Sequence, residues 1–204
     1  MKAIGLAAVY LTLLAASACT WTQNVDGLFC ENNCHGGDAG ADAASAGKGK
    51  LYVLAANVLN DIKANRIRLE LRVVNNTNAD VALSDLALRY YFTIDTGTNP
   101  EFQCNFTPSM APPYDCKNLV ATVPVLAAST PTADHAFQIT FGASAGLLRA
   151  FGGDSGVMKV SLSSGGEDFD QSNDYSFRPG NVEPALSETI TITRAGKLVW
   201  GQAP

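Results

Sequence analysis

Two oxygen-rich segments, Arg89-Tyr90-Tyr91-Phe92-Thr93-Ile94-Asp95 and Asp170-Gln171-Ser172-Asn173-Asp174-Tyr175-Ser176-Phe177, carry the residue types of a hard-cation site. Calcium takes about six to eight oxygens from carboxylates, amides, carbonyls and water, supplied by strand ends and loops that can bend round it. Thr93 and Asp95 lie two apart and so share one face of an extended chain, while Asp170, Asn173 and Asp174 crowd a turn. Spacing alone does not select a metal. Asp-Gln-Ser-Asn-Asp is also a turn whose side chains bond their own backbone, and on spacing the turn is the better account.

Three other patterns mimic reactive sites. Gly153-Asp154-Ser155-Gly156 copies most of the nucleophile motif of trypsin-like proteases, and Thr132-Ala133-Asp134-His135 faintly echoes their histidine motif. Only 20 residues separate His135 from Ser155, whereas such enzymes need two barrels and an intervening aspartate. Cys30-Glu31-Asn32-Asn33-Cys34-His35 is a loose variant of a c-type haem attachment site, and a disulfide explains its cysteines more simply. Glu167, Asp168 and Asp170 are neighbours in sequence, but glycoside hydrolysis needs two acids across a cleft. The sequence therefore argues for a chain that is not an enzyme.

The elements that must position these groups begin after a long leader. Lys2, the apolar run from Ala3 to Ala16, and the small residues Ala16-Ser17-Ala18 before Cys19 read as an export signal over residues 1–18. Small residues before a cysteine resemble the lipobox of bacterial lipoproteins, which implies lipidation of Cys19; Ala16 stands where leucine is usual, and ordinary cleavage after Ala18 is the alternative. Residues 19–50 are rich in Gly, Ala, Ser and Asp and read as a flexible tether. With Cys19 set aside, four of the five cysteines remain and pair by proximity as Cys30 with Cys34 and Cys104 with Cys116. An even remainder suits an exported protein. The net charge of -5 offers no basic patch for nucleic acid.

From Leu51 onward the period is two. Ile67, Leu69, Leu71 and Val73 alternate with Arg66, Arg68, Glu70 and Arg72; Leu86, Leu88, Tyr90, Phe92 and Ile94 alternate with Ala87, Arg89, Tyr91, Thr93 and Asp95. The pattern returns at Phe137, Ile139 and Phe141, at Met158, Val160 and Leu162, and at Ile190 and Ile192. Short strands divided by Gly, Pro, Asn and Ser clusters predict an all-β antiparallel sandwich or jelly roll in one domain, residues 51–204. Only Ala143 to Phe151 reads equally as a helical turn or a loop.

Leu86 to Asp95, Gln171 to Phe177 (Gln-Ser-Asn-Asp-Tyr-Ser-Phe) and Leu198 to Gly201 (Leu-Val-Trp-Gly) together resemble the family 3 carbohydrate-binding modules of cellulases and cellulosomal scaffolds. The resemblance implies a nine-stranded jelly-roll sandwich and one structural calcium, held by the Thr93 carbonyl, Asp95, the Asp170 carbonyl, Asn173 and Asp174. It also implies binding of cellulose or a related polysaccharide without turnover; together with the lipobox-like signal, the expectation is a monomer joined to a membrane through a lipid anchor only, at the outer membrane or cell surface, or else secreted. Crystal-binding relatives carry Asp-His after the position of Cys104, where this chain has Asn105-Phe106, and the arginine and tryptophan expected before Asp170 are absent. The substitute surface is expected at Phe102, Asn105, Phe106 and Tyr114 around the loop closed by the disulfide, with Tyr114 exposed; Phe102 and Phe106 could equally fill the space beneath it. Arg89 and Tyr91 resemble the family's shallow groove, although a solvated sheet face with the arginine stacked on the tyrosine is the better account. The alternative to sugar binding is a structural or protein-interaction lipoprotein that keeps the jelly roll alone.

Overall fold

The computed structural model describes residues 47–95, 100–108, 114–180 and 183–204. The export signal, Cys19, Cys30, Cys34 and most of the tether lie outside the described residues. Residues 47–50, read from the sequence as the end of the tether, are joined to the module: the Gly49 N–H donates to the Asn76 carbonyl at 3.0 Å, and the Asn76 N–H to the Lys50 carbonyl at 2.9 Å.

Ten strands of four or more residues are described. They are β1 (Leu51–Asn57), β2 (Arg66–Asn75), β3 (Leu86–Phe92), β4 (Glu101–Phe106), β5 (Leu119–Thr122), β6 (Val125–Thr130), β7 (Ala133–Phe141), β8 (Met158–Ser163), β9 (Thr191–Arg194) and β10 (Lys197–Trp200). Six further segments of two residues pair locally, a finer division than the nine strands expected. The first sheet runs Ala185–Leu186, β1, β2, β8, β4, with Gly153–Asp154 also on β2; the second runs β10, β9, β3, β7, β5, with β6 also on β7. Every pairing is antiparallel. Ala143–Ala145 forms a 3₁₀ turn and Leu147–Leu148 a short strand, so neither simple reading of that segment was complete.

The alternation seen in the sequence becomes the core. Ile67, Leu69, Leu71 and Val73 from β2 and Leu88, Tyr90 and Phe92 from β3 are all at most 2% exposed, as are Phe137, Ile139, Met158, Val160 and Leu162. Each fully buried side chain of this size contributes roughly 1.5–3 kcal/mol relative to exposure. The C-terminal Leu-Val-Trp-Gly motif closes one end, where the Trp200 indole donates to the Ser187 carbonyl at 2.8 Å. Gly201 follows at φ +79°, where a Cβ would meet the Ile190 carbonyl oxygen at 2.7 Å, so only glycine fits.

Cys104 on β4 and Cys116, at the start of a 3₁₀ turn leading into β5, form a disulfide. Since β4 belongs to the first sheet and β5 to the second, the bond ties the two layers at one edge.

Candidate functional site

The five residues expected to hold a cation converge. β3 ends at Phe92, and the Thr93 N–H then donates to Asp174 Oδ1 at 2.8 Å, while Thr93 Oγ1 donates to Asn173 Oδ1 at 2.9 Å. The Asp170 N–H donates to Asp95 Oδ2 at 2.8 Å. The Asp170 carboxylate turns away to cap the 3₁₀ turn Gln171–Asn173, accepting from the Ser172 N–H and hydroxyl, so only its backbone remains toward the cluster's partners. Asp174 is buried, and burial pushes its carboxyl up to about 7; Asp95 and Asp170 add repulsion, against the stabilising bonds from Thr93. Its Oδ2 is buried with no hydrogen-bond partner, as is Oε1 of the neighbouring Gln171.

Among the described residues no three His, Cys, Asp or Glu side chains form a chelating trio. The oxygen groups brought together here are mixed: two carboxylates, an amide and a hydroxyl. An orphaned buried carboxylate oxygen beside further hard oxygens fits a calcium-type ion better than a softer metal. Asp134, part of the protease-like histidine motif in the sequence, supports this region by accepting the Ile94 N–H at 2.9 Å.

A second arrangement occupies the outer face of the first sheet. Across β2, β8 and β4 the register sets Arg66, Ser163 and Glu101 in one row, Arg68, Ser161 and Gln103 in the next, and Glu70, Lys159 and Phe106 in a third. Lys159 pairs with Glu70 at 2.6 Å, and Arg72 pairs with Asp154. The register slips between Lys159 and Val160, which leaves Asn105 as an extra residue on β4. This bulge matters because Phe102, Cys104 and Phe106 would all point inward by strict alternation. Phe102 does so, its ring 5.8 Å from that of Phe137. Past the bulge Phe106 is exposed, at 49%, beside Asn105, whose Oδ1 accepts from the Ser161 hydroxyl at 3.0 Å. The result is a polar face with one exposed aromatic ring on it.

The family model for the cellulose binding domain matches residues 52–201. The chain belongs to this family of cellulose-binding domains. It is 30% identical over 158 residues to a xyloglucanase of a Paenibacillus species, covering 77% of this chain and 15% of that protein. It is 29% identical over 157 residues to endoglucanase 5 of Pectobacterium carotovorum, covering 76% and 30%. An anti-sigma-I factor of Acetivibrio thermocellus is 31% identical over 139 residues, covering 68% and 25%. The chain thus spans less than a third of the length of these relatives. A family IIIa cellulose-binding domain from Clostridium cellulolyticum superposes with a TM-score of 0.70 at 25% identity, over 78% of this chain and 99% of that one. A biomass-sensing module of Clostridium thermocellum does so with a TM-score of 0.69 at 27% identity, over 76% and 99%. These neighbours are family 3 jelly-roll sandwiches.

Within this cellulose-binding domain, the expectations for Tyr114 and Tyr91 are corrected, and the open alternative for Phe102 is decided. Tyr114 is not exposed: it is buried, its ring packs edge-on against Phe141 at 6.0 Å, and its hydroxyl donates to the Ser155 carbonyl at 3.1 Å. Burial pushes its hydroxyl up to about 12. Phe102 belongs to the core side of β4, as the pairing with Phe137 requires. Tyr91, expected on a wet groove face with Arg89, is covered by Tyr175, Leu126, Ala133 and Ala136, and its hydroxyl shares a 2.9 Å hydrogen bond with Thr191. Arg89 instead donates to Gln138 at 2.7 Å.

The reactive mimics also resolve. Ser155 is fully buried beside β2, accepting the Val73 N–H and donating to the Gly156 carbonyl. His135 sits on β7 in the other sheet, bonded to Asp134 at 2.7 Å, so no triad forms. A pocket of about 530 Å³ lined by Asn57, Tyr175, Arg178, Glu188 and Gln202 was not foreseen, and Glu167, Asp168 and Asp170 do not line it.

Proposed function

We propose that the chain is a non-catalytic module that holds cellulose or a related polysaccharide on the outer face of β2, β8 and β4. The carrying observation is the bulge at Asn105, which turns Phe106 out onto a row-ordered polar face in a member of a cellulose-binding family. The negative face of an aromatic ring attracts the C–H face of a pyranose. Arg68, Gln103, Asn105 and Lys159 offer donors and acceptors to the hydroxyls alongside it. A rigid face loses little conformational entropy on binding.

Calcium in this reading is structural. The Thr93 carbonyl, Asp95, the Asp170 carbonyl, Asn173 and Asp174 would hold it, with charge that offsets the burial of Asp174. The ligand set joins the end of β3 to the turn at Gln171–Asn173 and does not touch the sugar face. Export and a lipid on Cys19, or cleavage after Ala18, complete the proposal: a monomer tethered outside the cytoplasm, with no nucleic-acid partner.

Purified protein in calcium-containing buffer is expected to be retarded in affinity electrophoresis through a soluble glucan, to be retained by cellulose, and to release no reducing sugar. Absence of retention on cellulose, xylan and chitin would sink the proposal, and reducing-sugar release would replace it with an enzyme.

A further inference from the structure

Phe151 is the most exposed large apolar side chain among the described residues, at 78%. Its backbone lies at φ +58°, and Gly152 follows at +101°. Two successive positive φ values match a type I′ turn, whose first central position favours Asn, Asp or Gly because a bulky side chain is strained there. A phenylalanine at this position is doubly unfavourable, strained in the backbone and wet at the ring. Such outliers persist where the surroundings over-determine them and the group is in use.

The surroundings do over-determine it. The Phe151 N–H donates to the Thr77 carbonyl at 2.9 Å and the Gly152 N–H to the Asn75 carbonyl at 2.8 Å. Asp80 accepts from the Ala150 N–H at 2.9 Å and from Arg149 at 2.7 Å. The Asn75 amide ties Ala79 to Leu148, donating to both carbonyls. At Gly153 a Cβ would meet the Arg149 carbonyl oxygen at 2.5 Å, so the loop is closed tightly on itself.

The loop lies at the end of β2, a strand of the proposed sugar face. Gly153–Asp154 pairs with Asn75 and Val74 at the end of β2, and the Asp154 carboxylate pairs with Arg72. Phe106 lies level with Lys159 and Glu70. From Glu70 to Asn75 is five residues of extended β2, about 17 Å at a rise of about 3.4 Å. We infer that Phe151 is a second sugar-stacking platform, which takes a pyranose ring of an extended glucan several units away from the one at Phe106. The inference rests on the polysaccharide-binding reading above. Asn78, Asp80 and Arg149 are exposed around the loop and can bond the hydroxyls of the same sugar. The rigid loop holds the ring ready, so little motion is lost when a sugar stacks.

The test uses the full chain and the variant Phe151→Asn, which keeps the backbone N–H and places a favoured residue in the turn. The Tm of the variant is expected to equal or exceed that of the parent by a few degrees. Its Kd for soluble xyloglucan is expected to rise roughly three- to tenfold, the range of one aromatic contact. An unchanged Kd, in a setting where the parent binds, overturns this inference and leaves the binding proposal standing. A parent without affinity overturns both. Sedimentation covers the other occupant: a parent dimer that Phe151→Asn converts to monomer, with unchanged glucan affinity, assigns the ring to self-association and also overturns the inference.

Discussion

Chelation with EDTA is expected to lower the Tm of the folded module by roughly 5–10 °C. An ion that binds only the folded state contributes about 2.7 kcal/mol at a hundredfold excess over its Kd, and for a chain of this size each kcal/mol moves Tm by about 2–4 °C. The pH dependence carries a sharper signature. Asp174 rises from 3.8 to about 7 on folding, chiefly through burial. Without metal, the folded state holds that proton more tightly than the unfolded chain does. The resulting stability is complete below the unfolded value and is lost as pH rises through about 7, a difference on the order of 4 kcal/mol at most. Bound calcium requires the ionised carboxylate, so its affinity falls as pH drops below about 7. Melting curves in EDTA are therefore expected to fall between about pH 5 and about pH 8, and curves in millimolar calcium to stay flat or rise. Identical curves with and without chelator would remove the ion from the account.

Breaking the disulfide is the second large effect. Cys104 and Cys116 are 12 residues apart, and closing a loop of that length restricts the unfolded chain by roughly 3 kcal/mol. The bond also fixes β4, an edge strand that carries Phe106, to the turn that opens β5 in the opposite sheet. The double variant Cys104→Ser, Cys116→Ser is expected to lose on the order of 2–4 kcal/mol in denaturant unfolding. Glucan affinity is expected to weaken as well, because the edge strand frays before the core does. A stability change below about 1 kcal/mol would show that β4 is held by its ladder to β8 alone.

The core was legible in the sequence because alternation is a local signal. Ile67, Leu69, Leu71 and Val73 are buried as their period requires, and so are Leu88, Tyr90 and Phe92. The oxygen cluster proposed to hold a cation was singled out only through resemblance: spacing favoured a plain turn, and what distinguishes the cluster is the buried, unpartnered Asp174 oxygen, which depends on Thr93 meeting a residue 81 positions later. The fate of the aromatics was hidden for the same reason. Whether Phe106 points in or out is decided by a register slip against β8, which no local pattern records. Tyr91 lies on the wet side of its own strand by alternation, yet Tyr175 arrives from far along the chain to cover it. Tyr114, flanked by polar and proline residues, reads as exposed, but it reaches Phe141 and the Ser155 carbonyl across the sandwich edge. Phe151 is named in the sequence only as the end of a turn or loop, because its strain lies in φ, which residue types do not record.

A binding isotherm of the variant Phe106→Ala on cellulose tests most directly whether sugar is held on the face bearing Phe106. The variant is expected to fold with unchanged Tm, since the ring is exposed, and to bind with a Kd raised about tenfold, the loss of one well-placed stacking contact. Retention equal to that of the parent, in a variant with the same Tm, would contradict the assignment of this face.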